Sequence, residues 1–349
     1  MTMSLSSCNI IEKDLNNDIL WTWTYPSVTE LQKKILMQKC TFDANHPFIY
    51  GRFRNEWFYL TTTEVFESDN LPQLKQFILV LWSKDFNPEK YESLCRMLSK
   101  TYCKSGTPVA VLKLFLSVTT SGVCSTEENG TFREKDYELS YGNRNGVITC
   151  VKDLIKVFGL ETILIYTVLL LKKRLVVYHH SLPHLLKWIR TFPALMEHRK
   201  QSELLHPWVD LVPEELAQIK SSSSYIMGCR DSSIACQTDL YDVLVNLPAT
   251  EITVAPQAKE NLAMTKAHKE IALHLVQLAE DDNIPEHVVI EEIAKKTQEL
   301  LTQLRSLATL STDCGSKVVT LQLLQEKKFP PAVENFLFQL ALAENILLL

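Results

Sequence analysis

Three histidines, His179, His180 and His184, form the one histidine cluster in the sequence and are the first candidates for chemistry. No carboxylate stands at a spacing that would complete a metal site with them. The cluster follows a short β-branched run, where a strand passes into a loop and a helix. We interpret these residues as turn or surface histidines, with a metal site as the alternative. The acidic pairs Glu127–Glu128 and Asp281–Asp282 lie in polar segments typical of solvated loops.

Motifs of nucleotide binding and covalent catalysis are absent from the sequence. It contains no G-x-x-x-x-G-K-S/T phosphate loop, no G-x-G-x-x-G fingerprint and no H-E-x-x-H zinc motif. The G-x-S-x-G motif of hydrolases is missing as well. An enzyme acting on a small molecule would need a polar pocket with strongly shifted pKa values, and the sequence offers no candidate. We therefore expect no hydrolase, transferase or oxidoreductase activity, no cofactor and no metal.

Composition and charge narrow the class of protein. The 349 residues suggest two domains or one bilobed domain, and a net charge of −5 argues against a nucleic-acid partner. The nine cysteines are scattered without a C-x-x-C pair, which is typical of free thiols in a reducing compartment. The N-terminal segment lacks the features of a signal peptide, and no apolar run is long enough to span a membrane. These features predict a cytoplasmic protein without a membrane anchor.

The stretch Leu160–Leu247 is the part around which the chain is predicted to be built. Within it, Leu160–Leu171 is apolar almost all round, which predicts a helix buried on every side. The basic residues Lys172–Arg174 follow, where their charge would complement the helix dipole; an anion site is the alternative. The run Leu175–Tyr178 then predicts a buried strand.

The first hundred residues predict an α+β lobe in the order strand, strand, helix, three strands, helix, and a further helix is predicted to start at Thr107–Pro108 and end near Gly122. Alternation in the second strand places Ile19, Trp21, Trp23 and Tyr25 on one face, which we assign to a buried sheet face. A binding platform is the alternative use of the two tryptophans. A later hairpin is predicted to turn at Arg54–Asn55.

Beyond residue 147, helices alternate with strands, which predicts a mostly parallel sheet covered by helices. Helices are predicted at Val151–Phe158 and Leu182–His198, and strands at His206–Val212, Ser224–Cys229 and Tyr241–Leu247. From about Pro256 the pattern is helical, with helices at Ala258–Glu280, at Glu286–Leu307 and at the C-terminus. The apolar stripe of Glu286–Leu307 predicts an internal packing face, with a coiled coil as the alternative.

Three segments of the second lobe resemble the DENN-domain family of guanine-nucleotide exchange factors for Rab GTPases. Leu169–Met196 reads LLLKKRLVVYHHSLPHLLKWIRTFPALM, Tyr225–Gly228 reads YIMG, and Asp239–Leu247 reads DLYDVLVNL. The runs KDFNPEKY, EENG and KKFPPAVENF are similar to the short, single-module branch of this family. One departure is Ser221–Ser224, which stands where the family usually has a proline before the tyrosine.

The resemblance implies a bilobed α/β fold. Its expected parts are a longin-like upstream lobe at residues 1–120, a central α/β DENN lobe at 148–255, and a downstream helical region at 256–349. The segment 121–147 between them is polar, glycine-dotted and aperiodic, which predicts a mobile inter-lobe loop.

The resemblance also implies an exchange factor for a Rab GTPase of the secretory-lysosome type. It implies recruitment to late endosomes and a role in late endosomal positioning, maturation and secretion. The alternative is a non-catalytic DENN-fold scaffold that binds coiled-coil subunits of an endosomal recycling complex. By analogy with the family, the GTPase lies across both lobes, and the candidate contact residues are Arg52, Arg54, Asn55, Arg230, Asp231 and Asp239.

Overall fold

A computed structural model describes residues 4–43, 45–66, 68–128, 130–137, 149–199, 202–310 and 317–348. The chain divides into two compact units, Met1–Ile148 and Thr149–Leu349. Each unit has its own sheets and helices, in keeping with the predicted α/β fold class, which is confirmed. The further division at residue 256 stays a prediction.

The first unit contains three helices and seven strands within its described residues. The helices are α1 Glu30–Lys39, α2 Pro88–Ser105 and α3 Pro108–Ser121. The strands are β1 Leu5–Asp14, β2 Ile19–Tyr25, β3 Phe48–Phe53, β4 Glu56–Glu64, β5 Leu74–Ser83, β6 Val123–Thr126 and β7 Gly130–Arg133.

The second unit is richer in helices. These are α4 Val151–Phe158, α5 Thr162–Leu170, α6 Leu182–Ile189, α7 Pro213–Lys220, α8 Lys266–Glu280, α9 Glu286–Leu307, α10 Leu321–Glu326 and α11 Pro331–Ala343. The strands are β8 Arg174–Tyr178, β9 Leu205–His206, β10 Tyr225–Cys229, β11 Val243–Asn246, β12 Glu251–Val254, β13 Thr309–Leu310, β14 Lys317–Thr320 and β15 Leu347–Leu348.

The main sheet of the first unit is antiparallel, in the order β2-β1-β5-β4-β3. Helix α2 packs on one of its faces, where Tyr91 stacks on Tyr59 with ring centroids 4.3 Å apart. Its N-terminus is the one the sequence predicts: Asn87 accepts from the Lys90 amide at 3.1 Å, and Pro88 occupies the first turn.

The prediction that strand β2 presents four large side chains on one face is wrong. Ile10 pairs with Trp23 and the next residue, Ile11, pairs with Trp21, so an extra residue of β2 interrupts the register. Because neighbouring positions of β1 point to opposite faces, this β-bulge places Trp21 and Trp23 on opposite faces of the sheet. β2 is also an edge strand, and Tyr25 is 40% exposed.

The predicted mobile loop at 121–147 is partly wrong. Strands β6 and β7 form a hairpin in which Cys124 and Phe132 are buried. Glu134 follows the hairpin and pairs with the largely buried Lys90 of α2 at 3.1 Å. The hairpin could not be predicted from the sequence because isolated apolar residues in a polar segment show no periodicity. Residues 138–147 of the predicted loop lie outside the described part of the chain.

The main sheet of the second unit has the order β12-β11-β8-β10-β9, with β12 antiparallel and the other strands parallel. The predicted mostly parallel sheet is therefore confirmed. Every residue of α5 except Leu164 is buried, as the all-round apolar segment predicts. None of the helices in the described part of the chain combines the length and the apolar character that crossing a bilayer requires.

Three predicted boundaries in the second unit are wrong. The helix predicted to run to His198 ends at Ile189 and gives way to a short 3₁₀ turn around Pro193, whose ring cannot continue an α-helix. The strand predicted to run to Val212 is only two residues long, and Pro207 follows it directly. Helix α8 begins late, because Thr265 caps it with a reciprocal hydrogen-bonded box.

The C-terminal helices pack as predicted. Ile293, Leu301 and Leu304 of α9 are buried, and Thr297 of the same face meets the Tyr166 hydroxyl of α5 at 2.8 Å. In α11, Leu340 is fully buried. The apolar stripe of α9 therefore faces the interior of its own unit.

The glycine of the YIMG segment permits a close approach of two backbones. A Cβ atom at Gly228 would lie 2.1 Å from the carbonyl oxygen of Pro207, and the Gly228 carbonyl accepts from the Val209 amide at 2.9 Å. We predict that Gly228→Ala lowers the free energy of unfolding by about 2 kcal/mol, because the backbones must separate. Urea denaturation measures this change. Gly159→Ala is the comparison: a Cβ atom there would meet no atom within 4 Å, but Gly159 has a φ of +52°, so that variant reports a backbone effect without a steric clash. An unchanged midpoint for Gly228→Ala would contradict the prediction.

Candidate partner-binding surfaces

The β3–β4 hairpin carries the candidate contact residues of the first unit. Phe53 pairs with Glu56, so Arg54 and Asn55 form the two-residue turn between the strands. Both turn residues are exposed. Arg54 has a φ of 55°, in the left-handed region that residues other than glycine rarely adopt. Its guanidinium carbon lies 5.5 Å from the centroid of the Phe53 ring. The hairpin thus presents a cation and an amide at its tip.

Arg52 has a different role in the same hairpin. It is half-buried, and its guanidinium carbon lies 5.5 Å from the Trp57 ring centroid, within the range of a cation–π contact. Trp57 in turn packs against Phe86 at 4.3 Å. Arg52 therefore takes part in packing the strand, whereas Arg54 and Asn55 lie at the surface.

In the second unit, Arg230 and Asp231 follow β10 directly and so lie at the carboxyl edge of the parallel sheet. Both are exposed. Arg230 donates from Nε to the carbonyl oxygen of His180, which follows the neighbouring strand β8, at 3.3 Å. Asp231 accepts from the Ser233 amide at 2.8 Å, and this backbone hydrogen bond lowers the pKa of the Asp231 carboxyl.

Asp239 lies at the opposite edge, in the connection that returns to the start of β11. Its carboxylate is 3.4 Å from Lys220 Nζ, and its carbonyl accepts from the Arg174 guanidinium. Arg174 itself makes a two-pronged contact with Asp242, at 2.8 and 3.1 Å. Its pKa is raised first by hydrogen bonding to that carboxylate. The arrangement anchors the ends of two neighbouring strands.

The three candidates of the second unit therefore do not form one patch. Arg230 and Asp231 follow the five-residue strand β10, whereas Asp239 lies beside its starting end. At about 3.3 Å for each residue of a strand, the two edges are roughly 15 Å apart. The sequence prediction missed the Arg174–Asp242 pair, although each residue stands in a segment it singled out. Their pairing depends on β8 and β11 being neighbours, and no local pattern encodes that order.

The histidine cluster lies at the carboxyl edge beside Arg230. The His179 ring is 4.5 Å from the His180 ring and stacks on the His184 ring at 5.1 Å. Partial burial, followed by repulsion from the two neighbouring rings, lowers the pKa of His179. The Ser181 hydroxyl lies 3.0 Å from His184 Nδ1 at the start of α6. The cluster thus forms the turn between β8 and α6, as the sequence predicted.

The cysteines and the metal-ligating side chains of the described residues were the other candidates for chemistry. The cysteines of that part of the chain are all free thiols. Burial raises the pKa of Cys40 and Cys95 to about 12, so neither thiol ionises near neutral pH. Within the same residues, no three or more His, Cys, Asp or Glu side chains are arranged so that they could hold a metal ion. The candidate surfaces are suited to recognition of another molecule by charge and shape.

Known proteins place the chain in a family. Residues 149–256 match the family model described as "Stabilization of polarity axis". A human protein named DENN domain-containing protein 10 is 43% identical over 350 residues, covering 99% of this chain and 97% of that protein. The chain belongs to the DENN domain-containing protein 10 family. Relatives of the same name from Danio rerio and Dictyostelium discoideum are 43% and 34% identical, over 98% and 97% of this chain.

Membership of the DENN family agrees with the resemblance inferred from the sequence, which is confirmed. The region matched by the family model spans the whole parallel sheet of the second unit and the YIMG strand with its close backbone approach. Arg230, Asp231 and Asp239 all fall inside it. The hairpin candidates Arg52, Arg54 and Asn55 lie in the other unit.

Proposed function

We propose that this DENN-family chain is a guanine-nucleotide exchange factor for a Rab GTPase and acts in late endosomal positioning, maturation and secretion. The observation that carries the proposal is the similarity to DENN domain-containing protein 10 over 99% of the chain. The DENN-domain family, which this chain resembles, includes exchange factors that act on Rab GTPases. The match extends over both units, so each unit is available to contribute contacts.

The proposed mechanism is differential binding. An exchange factor accelerates nucleotide loss when it binds the nucleotide-free GTPase more tightly than the nucleotide-bound form. It does so by holding the GTPase switch segments away from the phosphates and Mg²⁺ that otherwise order them. Such a protein needs exposed, preorganised contacts and no acid or base of its own. The anchored loops at the two edges of the second unit's sheet fit this requirement.

We assign the GTPase contact of the second unit to the carboxyl edge of the sheet. Ligands of open α/β sheets generally bind beyond the carboxyl ends of the strands. Arg230 and Asp231 are exposed there, and their loop is held by the hydrogen bonds from Arg230 to the His180 carbonyl and from the Ser233 amide to Asp231. Asp239 is held by Lys220 at the other edge, where it stabilises the strand connection.

Charge reversal at the two edges tests this assignment. Arg230→Glu is expected to slow GDP release by at least about tenfold, since each 1.4 kcal/mol of lost contact is a factor of ten. Asp239→Lys at the opposite edge should slow it less. Lys269→Glu, on the exposed face of α8, controls for net charge. Circular dichroism verifies folding of each variant. If Arg230→Glu kept full exchange activity, or slowed GDP release no more than Asp239→Lys, the placement of the contact at the carboxyl edge would be wrong.

Release of fluorescent GDP from a panel of Rab GTPases tests the function as a whole. Acceleration for one Rab, of the secretory-lysosome type by resemblance, is the expected result. The alternative function is a DENN-fold scaffold that binds coiled-coil subunits of an endosomal recycling complex. Tight Rab binding without acceleration would favour that scaffold. The absence of both binding and acceleration across the panel would contradict the exchange proposal.

A further inference from the structure

A groove of about 750 Å³ lies in the first unit, at the end of β4 far from the Arg54–Asn55 turn. One wall is the outer face of α2, and the other is the end of β4 with the segment that follows it. Its volume falls within the range of small-molecule sites. The lining residues are Thr61, Thr63, Glu64, Val65, Phe66, Ser68, Arg96, Ser99, Lys100, Cys103, Lys104 and Glu128.

The groove contains a buried polar group without a partner. Ser99 is 3% exposed, and its hydroxyl makes no hydrogen bond to any described residue. A buried hydroxyl left without a partner costs about 1–3 kcal/mol, so a hydrogen bond from Ser99 to a ligand oxygen would be stabilising. Thr61 and Thr63 add two further hydroxyl-bearing side chains to the same lining.

A row of basic residues borders the groove. Arg96, Lys100 and Lys104 follow one another at four-residue spacing on α2, so they share one face of the helix about 6 Å apart. Lys100 is exposed and has no ion pair within the described part of the chain. Arg96 and Lys104 pair with Glu92 and Glu128. These pairs are well exposed and therefore weak, so a ligand anion can replace the glutamates at little cost.

The acidic residues of the lining do not cancel this row. Glu64 accepts a hydrogen bond from Gln76 at 3.3 Å, and Glu128 forms an ion pair with Lys104. The lining still contains three cations against two carboxylates, so it keeps a net positive charge, and Lys100 makes no ion pair with either carboxylate. The chain as a whole carries a net charge of −5, so attraction of an anion here depends on the local arrangement.

An exposed aromatic side chain stands at the same groove. Phe66 is 80% exposed, so its apolar ring contributes little buried surface to the stability of the fold. A large apolar side chain beside basic residues is typical of proteins that insert an aromatic ring at the headgroup level of a membrane. Phe66 therefore suits a phosphate-bearing ligand that is attached to a lipid.

We propose that this groove binds a multiply phosphorylated ring, either free or as the headgroup of a membrane lipid. Lys100, with Arg96 and Lys104, would neutralise the phosphates, and the Ser99 hydroxyl would hydrogen-bond to a ligand oxygen. Phe66 would add apolar contact when the ring belongs to a lipid. The inference does not depend on exchange activity, because its observations lie in the first unit and concern a small anion.

Binding of inositol hexakisphosphate, measured by isothermal titration calorimetry on the full chain, is the first test. We expect Lys100→Glu to weaken binding at least about tenfold, which corresponds to 1.4 kcal/mol. Lys113→Glu makes the same charge change on the exposed face of α3 and should alter affinity less than about twofold. Ser99→Ala should weaken binding severalfold without loss of the fold. Equal effects of the two lysine substitutions, or no binding by the unmodified chain, would overturn the proposal.

Vesicles distinguish the two sources of the ligand. Sedimentation with phosphatidylcholine vesicles, with and without phosphatidylinositol 4,5-bisphosphate, is measured for the unmodified chain and for Phe66→Ser. A lipid source predicts that Phe66→Ser weakens vesicle binding and leaves inositol hexakisphosphate binding unchanged. A free source predicts soluble binding alone. An acidic peptide, poly-glutamate, that bound more tightly than either phosphate ligand would overturn the assignment of ligand class.

Discussion

Replacing Glu344 by glutamine is expected to lower the free energy of unfolding by about 3 kcal/mol, because it leaves a largely buried cation without its partner. Glu344 caps α11 and pairs with Arg199; the two side chains are only 13% and 12% exposed. Arg199 also donates to the Leu170 carbonyl at 2.9 Å, at the end of the buried helix α5. One guanidinium therefore joins the C-terminal helix to the centre of the second unit.

The pH dependence follows from the same pair. Burial alone would raise the pKa of Glu344, but the His198 ring, whose Nε2 lies 3.6 Å away, and the hydrogen bond from Arg199 outweigh burial and lower the pKa to about 2. The folded state therefore favours the carboxylate. Its stabilising effect is complete above the ordinary value of 4.5 and is lost as the pH falls from there towards 2.

Urea denaturation of Glu344→Gln and of a matched control checks the prediction. Glu270→Gln breaks the exposed pair with Lys266, whose side chains are 67% and 92% exposed. That control should change the free energy of unfolding by less than about 0.5 kcal/mol. Similar losses in the two variants would show that burial of the Arg199 pair contributes nothing.

The second large effect is a loss of stability in mild acid that depends on His268. Burial lowers the pKa of His268 to about 4, from an ordinary value of 6.5. Its Nδ1 accepts from the Thr265 amide at 3.1 Å to close the capping box of α8, and its ring meets Phe336 edge-on at 4.5 Å. The folded state holds the neutral imidazole, so its stabilising effect is present above pH 6.5 and is lost as the pH falls towards 4.

The expected loss across that interval is about 3 kcal/mol, at 1.36 kcal/mol for each tenfold change in proton affinity. His268→Gln is the informative variant, because glutamine at this position preserves a capping box and carries no titrating group. Free energies of unfolding are measured at pH 7, 5.5 and 4.5 for both proteins. The unmodified chain should lose stability more steeply than the variant, and parallel curves would contradict the assignment.

Features that depend on one segment were predictable from the sequence. Helix α5 was recognisable because Leu160–Leu171 has no polar face, and the start of α2 because Asn87 and Pro88 are a strong N-terminal signal. The parallel sheet followed from helices alternating with strands. In each case the physical cause, burial or capping, acts within a few residues.

Features that depend on pairing between segments were not predictable. Nothing in the β2 sequence marks the bulge that separates Trp21 from Trp23, because it arises from the register with β1. The opposite placement of Arg230 and Asp239 requires the direction and order of the strands, which no periodicity gives. Family analogy selected Arg230 and Asp239 together, and only the strand order and direction show that they lie at opposite edges of the sheet.

The most direct test of the central claim compares the affinity of the chain for one Rab GTPase in two states, nucleotide-free and GDP-bound. An exchange factor must bind the nucleotide-free form more tightly, because that difference is the source of its catalysis. We predict at least about a hundredfold difference, which corresponds to about 2.7 kcal/mol. Equal affinities for the two forms would contradict the account, since a partner that binds both equally cannot accelerate nucleotide release.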